Sequence, residues 1–373
     1  MPETGQIAVF TGPERPFEIR EFPVPVPEPG CVVVKLSTAN ICGSDLHYFH
    51  GYLDKSAGDS PPFSRTLGHE MTGRVHSFGE GVTADSAGKP LAAGDRVVYR
   101  YFNPCGKCRC CVRQSTTRCP YAMPRWNDPP EKFPHFHGAY GQYFYLAPGQ
   151  TIFKIAESID EDLASPANCA LSQVVYGFRR ANPTPDDHVV IQGAGGLGLN
   201  AIAVAKDFGV RQVIVVDALD SRLELARAFG ADELIDMKQY PDAAARAKRV
   251  RELTDDWGAD IAMEVTGHAD AVPEGILMLG QGGTQVVIGT ICRGKTCTAD
   301  PAELVQGGKT SLGIMWYDPP ALLEAVDLLE RAGETFPFNK ILSHHYPLSA
   351  INEAMAEQDA GKIQRTALKP WDD

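Results

Sequence analysis

No run of apolar residues in this sequence approaches the roughly 18 needed to span a membrane. A spanning helix is therefore not expected. Basic residues are also short: 35 Lys and Arg face 47 Asp and Glu, a net charge of −12. Sequence-blind grip on nucleic acid needs basic stripes, so nucleic acid is not an expected partner. No basic-then-apolar leader follows Met1-Pro2-Glu3-Thr4, and the expected location is the cytoplasm. There is no internal repeat and no low-complexity segment. In a reducing compartment the ten cysteines should stay free of disulfides, and a cluster of them reads first as a metal site.

The 373 residues suit two domains, and 43% hydrophobic residues suffice for packed cores. Residues 1 to about 165 are rich in Pro, Gly and short β-branched runs such as Cys31-Val32-Val33-Val34-Lys35-Leu36 and Asp95-Arg96-Val97-Val98-Tyr99. This composition predicts an irregular, strand-dominated domain. From about 186 the rhythm changes to alternating elements. Strands are expected at Val189–Ile191, Gln212–Val216, Asp260–Val265 and Thr284–Ile288. Helices are expected through Asn200–Ala205, over Ser221–Phe229 and near 270–279. Apolar strands alternating with helices predict a parallel sheet covered on both faces. A helix at Ala321–Arg331 and a strand near Gln364–Leu368 follow.

The turn Gly193-Ala194-Gly195-Gly196-Leu197-Gly198 follows one of these strands and opens a helix. That context makes it a dinucleotide site. Glycines let the backbone approach a pyrophosphate, and the helix start offers unpaired N–H groups and a positive dipole end. Asp217 stands 19 residues beyond Gly198, at the end of the next strand. A carboxylate there accepts hydrogen bonds from the adenosine ribose and repels a 2′-phosphate, so NAD is expected over NADP.

Cys105, Cys108, Cys111 and Cys119 follow the spacing C-x2-C-x2-C-x7-C, with Cys110 beside them. Thiolates so spaced can close a tetrahedron around zinc. With every position filled by protein, such a zinc is structural. Spacing makes Cys110 the spare, but an exchange of roles with Cys111 stays open.

The chain resembles the medium-chain, zinc-dependent alcohol and polyol dehydrogenases along nearly its whole length. The landmarks occur in family order: Cys42-Gly43-Ser44-Asp45-Leu46-His47, Gly68-His69-Glu70, the cysteine lobe, Cys169, the glycine turn with Asp217, and Ile363-Gln364-Arg365-Thr366. The fold implied is a GroES-like β-rich catalytic domain over 1–170, with the zinc lobe at about 101–120. A Rossmann coenzyme domain over 171–315 and a return to the catalytic domain over 316–373 complete it. The resemblance also implies a second, catalytic zinc held by Cys42, His69 and Cys169, which spacing alone would never join. Glu70 would stand beside this metal as an exchanging ligand, and Asp45 would orient His69 through its other ring N–H. Ser44 would take the alcohol proton and pass it to His47, while hydride goes to NAD. Arg222 would sit at the adenosine ribose and Arg365 at the pyrophosphate, with Gly289 and Thr290 as further cofactor contacts.

Gly43 stands where some members carry a basic phosphate-binding residue, as in polyol-type members. Cys169 stands where threonine-type and many polyol-type members carry Glu, which favours an alcohol-type centre. Tyr101 and Tyr140 align with pocket aromatics of the family, and Phe49 and Trp316 are candidate additional walls. The stretch from Cys119 to Gly138 adds Tyr121, Met123, Trp126, Phe133, His135, Phe136 and His137. Such a lining in a cleft between the domains suits a hydrophobic or ring-bearing alcohol better than a naked polyol. A polyol or amino-alcohol dehydrogenase is the alternative within the family. An NAD-binding protein with structural zinc and no turnover is the alternative outside it. Members are usually homodimers or homotetramers.

Overall fold

The computed structural model of the chain describes residues 2–53, 64–363 and 365–372; Gln364, one of the landmark residues, lies outside them. The chain divides into two compact units. One consists of Met1–Cys169, Asp318–Gly333 and Phe338–Asp373, the other of Ala170–Tyr317 and Glu334–Pro337.

The first unit is built on strand Val32–Asn40. Its side chains alternate between two apolar clusters, as a period of two requires. Val32, Val34 and Leu36 join Phe10, Val97, Tyr99 and Tyr140, whereas Val33 joins Ile7, Val9, Phe136 and Tyr143. Among the described residues this strand belongs to a seven-stranded sheet. It pairs antiparallel with Glu70–Phe78, with Tyr143–Leu146 and with the late strand Thr366–Lys369. Thr366–Lys369 starts two residues after the expected point.

The second unit carries, among the described residues, a six-stranded parallel sheet. Its order is Glu233–Asp236, Gln212–Asp217, His188–Gln192, Ala259–Glu264, Leu279–Val287, Thr310–Gly313. Strand order reverses between His188–Gln192 and Ala259–Glu264, and ligands of such sheets bind at the carboxyl ends near that switch. The sheet and its covering helices agree with the alternating pattern read from the sequence. One boundary differs: the strand expected from Thr284 begins at Leu279, directly after helix Ala271–Met278. Its early part slips in register against Ala259–Ile261, and a Cβ on Gly280 would lie 2.7 Å from the Trp257 carbonyl. Main chain is packed there instead of side chains, so no apolar periodicity announces the strand. Among the described residues, no helix is long and apolar enough to cross a membrane.

Candidate metal centre and dinucleotide site

Four distant segments of the first unit meet at Asn40. Strand pairing sets Asn40 opposite Glu70 on one side and Ala367 on the other. Cys42 thereby comes beside His69, and Arg365 comes to the same corner. The fourth segment is the turn Ser165–Asn168. The Asn40 Nδ2 donates to Ser165 Oγ at 2.7 Å, and Asn168 Oδ1 accepts from the Met71 N–H at 3.3 Å. These bonds deliver Cys169. Ligand atoms of Cys42, His69, Glu70 and Cys169 all lie within 4.8 Å of one another.

Helix Gly43–Phe49 opens on a capping box in which Cys42 is the N-cap and Asp45 the third residue. The Cys42 N–H donates to Asp45 Oδ2 at 2.9 Å, and the Tyr140 hydroxyl donates to the same oxygen at 2.7 Å. Asp45 Oδ1 lies 3.3 Å from His69 Nδ1, which leaves Nε2 for the centre, 3.3 Å from Ser44 Oγ. Asp45, Glu70 and Tyr140 have no solvent exposure. Burial, reinforced by Asp45, pushes the Tyr140 phenol well above its usual pKa, so it stays a donor.

Two sulfurs, those of Cys42 and Cys169, lie within 4.8 Å of each other in this corner. Their mutual hydrogen bond pulls Cys42 well below the usual thiol range and pushes Cys169 well above it. Burial pushes the Glu70 carboxyl up to about 8, although the Arg365 guanidinium opposes the shift. Arg365 Nη2 donates to Glu70 Oε1 at 2.8 Å, while Glu70 Oε2 is buried without a hydrogen-bond partner among the described residues. Soft sulfur, imidazole and a spare carboxylate oxygen form a zinc donor set. Arg365, expected at the pyrophosphate, meets Glu70 in this corner. It is a buried ion-pair partner of Glu70, and only its Nη1 is left without a partner among the described residues.

The cysteine lobe gathers Cys105, Cys108, Cys111 and Cys119, whose sulfurs also lie within 4.8 Å of one another. The Cys108 sulfur is 3.5 Å from that of Cys111 and 3.8 Å from that of Cys119. A tetrahedron with Zn–S bonds of about 2.3 Å has edges of about 3.8 Å. Arg109–Val112 is helical, so Cys108 and Cys111 share a face and Cys110 falls outside the group. The Lys107 amide pulls the Cys105 thiol down to about 6, within reach of thiolate at neutral pH.

In the second unit, helix Gly196–Asp207 begins at Gly195 with no side-chain cap, leaving first-turn N–H groups for a ligand. Gly193 has φ of 101°, and a Cβ on Gly198 would lie 1.9 Å from the Gly193 carbonyl oxygen. A Cβ on Gly195 would meet nothing within 4 Å, so the turn is open where Gly195, Gly196 and Leu197 are half-exposed. Asp217 ends its strand and accepts from the Ala194, Ala218 and Leu219 N–H groups at 2.8, 2.8 and 2.9 Å. A carboxylate offers about four acceptor positions, so one is left for a ribose hydroxyl. Arg222 Nη1 lies 3.9 Å from Asp217.

Glu264 escaped the sequence reading. It is fully buried at the end of its strand. Its Oε1 accepts from the Thr266 N–H, the Thr266 hydroxyl and the Gly267 N–H at 2.7, 2.8 and 2.8 Å. Its Oε2 accepts from the Thr290 N–H and hydroxyl at 3.0 and 3.1 Å. One carboxylate thus ties together two strand-end loops, including Gly289 and Thr290, at the ligand-binding end of the sheet. A Glu closing an apolar strand and followed by Val-Thr-Gly was the available signal.

The expected pocket aromatics separate. Tyr101 flanks the centre, its ring 4.9 Å from that of His69. Trp126 stands edge-on to His69 at 6.3 Å and packs on Tyr48 at 5.5 Å. Tyr140 is a correction: it lies in the core with its hydroxyl on Asp45, because its ring packs directly over Gly68. Phe49 packs against the large core cluster, and Trp316 is half-buried in the second unit. His47 is half-buried on the helix of Ser44, three residues on, and therefore on the same face.

An alcohol dehydrogenase GroES-like domain matches residues 28–157, and a zinc-binding dehydrogenase domain matches residues 196–331. A 5-exo-hydroxycamphor dehydrogenase of Pseudomonas putida is 30% identical, over 94% of this chain and 95% of its own length. An erythritol/L-threitol dehydrogenase of Mycolicibacterium smegmatis is also 30% identical, over 97% and 96%. The crystal structure of an alcohol dehydrogenase from Thermotoga maritima superposes with a TM-score of 0.89 at 28% identity, covering 98% of this chain and 99% of that one.

Proposed function

Since the chain belongs to the zinc-dependent, medium-chain alcohol dehydrogenase family, we propose that it interconverts a hydrophobic or ring-bearing alcohol and its carbonyl with NAD. The family uses zinc and a nicotinamide cofactor on small-molecule alcohols. The finer reading rests on one observation, the aromatic wall of Tyr48, Tyr101 and Trp126 beside His69. Apolar walls with few polar groups favour apolar, bulky ligands. A ring-bearing alcohol is also what the hydroxycamphor relative is named for.

Cys42, His69 and Cys169 would hold the catalytic zinc, with Glu70 as an exchanging donor, and the four-cysteine lobe would hold a second, structural one. When bound, zinc acts as a Lewis acid that lowers the pKa of an alcohol, and the nicotinamide accepts hydride. The chain supplies the rest. Asp45 fixes the His69 ring so that Nε2 faces the centre. Ser44 takes the alcohol proton and hands it on through His47, an imidazole able to accept and release a proton. Asp217 and the open glycine turn favour NAD over NADP, with Arg222, Gly289 and Thr290 as further contacts. A homodimer or homotetramer is supported by strand Thr310–Gly313, which ends its sheet largely exposed. The second reading, a polyol or amino-alcohol substrate, is favoured by Gly43 and by the erythritol/L-threitol relative.

The test is metal analysis combined with turnover on cyclic, aromatic, long-chain and polyol alcohols, each with NAD and NADP. Two zincs per chain and highest kcat/KM on a cyclic or aromatic alcohol with NAD are expected. Preference for a polyol, or for NADP, would refute the corresponding part.

A further inference from the structure

We propose that Tyr140 is a positioning residue for the catalytic metal, acting through Asp45 on both Cys42 and His69. The inference rests on the zinc reading given above. A carboxylate with no solvent exposure must find its hydrogen bonds within the protein. Asp45 Oδ2 finds one of them at a proposed ligand, the Cys42 N–H at 2.9 Å, and Oδ1 faces His69 Nδ1 at 3.3 Å as an ion-pair contact. The other donor to Oδ2 is the Tyr140 hydroxyl, at 2.7 Å the shorter of the two hydrogen bonds. A carboxylate held by Cys42 and His69 alone could swing about its terminal torsion, which is broad and roughly two-fold. The phenol fixes that plane from a third direction, and with it the bearing of the imidazole.

Tyr140 is itself held by the main chain that leads into His69. Its N–H donates to the Leu67 carbonyl at 3.2 Å, the Ala139 N–H donates to the Gly68 carbonyl at 2.9 Å, and the Ala8 N–H donates to the Tyr140 carbonyl at 2.7 Å. Its ring lies over Gly68, whose φ is 85°; a Cβ there would come within 2.7 Å of two ring carbons. Gly68, Tyr140, Asp45 and His69 therefore form one closed circuit. The circuit ties the direction of a ligand to the path of the chain that carries it.

Tyr140→Phe keeps the ring on Gly68 and removes only the hydroxyl. Groups that orient metal ligands typically contribute 10–100-fold to metal affinity. Tyr140 acts through Asp45, so about a tenfold loss is expected. Chelator titration of the loaded protein should strip one of the two zincs at about one-tenth of the wild-type chelator concentration, with the other zinc unmoved. The metal-free protein loses a buried hydrogen bond to a charged group and should unfold below the wild-type midpoint, so the positioning role is read from the selective loss of one zinc and from its dependence on Asp45. In an Asp45→Ala background the same substitution should change zinc retention less than twofold, because the hydroxyl has lost its acceptor. Retention within twofold of wild type in Tyr140→Phe, or an undiminished effect in the Asp45→Ala background, overturns the proposal. A wild-type chain that holds a single zinc, lost on Cys105→Ser, overturns the zinc reading and the proposal with it.

Discussion

Replacing Glu264 by glutamine changes no volume and removes one charge, yet it should be among the most damaging substitutions in the second unit. The carboxylate accepts five hydrogen bonds, three at Oε1 and two at Oε2. Glutamine can present its oxygen to only one set and must turn an NH2 group toward the other. The smaller loss comes when the amide faces Thr290, whose N–H can only donate. Hydrogen bonds to a charged group are worth about 1.5–3 kcal/mol each, so two amount to about 3–6. The Thr290 hydroxyl can rotate to accept from the new amide and recovers part of this, leaving about 3 kcal/mol. A domain of this size loses about 2–4 °C per kcal/mol, so calorimetry should place the transition about 6–12 °C below wild type. The dissociation constant for NAD should rise as well, because both loops stand at the ligand-binding ends of the strands. A midpoint within 2 °C of wild type, with the same cofactor affinity, would refute the view that this carboxylate organises the loops.

The cysteine lobe and His137 carry two further expectations. Cys111→Ser should lower the zinc content by one per chain, whereas Cys110→Ser should leave it intact; the opposite pattern in metal analysis would reassign the ligand. Burial pulls the His137 imidazole down to about 4 from the unperturbed 6.5. In the folded chain it therefore stays neutral while the unfolded chain takes up a proton, so its stabilising contribution is complete above pH 6.5 and is lost as pH falls toward 4. At about 1.4 kcal/mol per unit, the loss reaches about 3 kcal/mol. Urea unfolding should show His137→Gln losing less stability than wild type between pH 7 and pH 4; parallel curves would contradict the assignment.

The second unit was legible because its information is local. Each strand is one short apolar run, and the glycine turn lies directly between a strand and the helix it opens. The cysteine lobe was legible for the same reason, and helical spacing of Cys108 and Cys111 could have resolved the place of Cys110. The catalytic corner was not legible from spacing. Its ligands meet through pairing of Asn40 with Glu70 and with Ala367, contacts between residues far apart in the chain. Resemblance supplied the candidate ligand names but misplaced one neighbour and left the partner of another unforeseen. Tyr140 lies in the core with its hydroxyl on Asp45 rather than lining a pocket, and Arg365 reaches Glu70. Neither role has a local pattern, because each depends on what a long side chain reaches after the sheet has closed.

Strand Thr366–Lys369 pairs with Val32–Asn40 although more than three hundred residues separate them. During synthesis this imposes a schedule. Cys105 to Cys119 leave the ribosome nearly together and can bind metal as soon as they emerge. The corner of Cys42, His69 and Cys169 gains Arg365 and the closing strand only after roughly 200 further residues, about 10–40 s at ~5–20 residues per second. Over that interval the second unit, contiguous apart from Glu334–Pro337, emerges. On the two-zinc reading, metal would enter in two instalments, the first local and early, the second when the end of the chain has returned to its beginning.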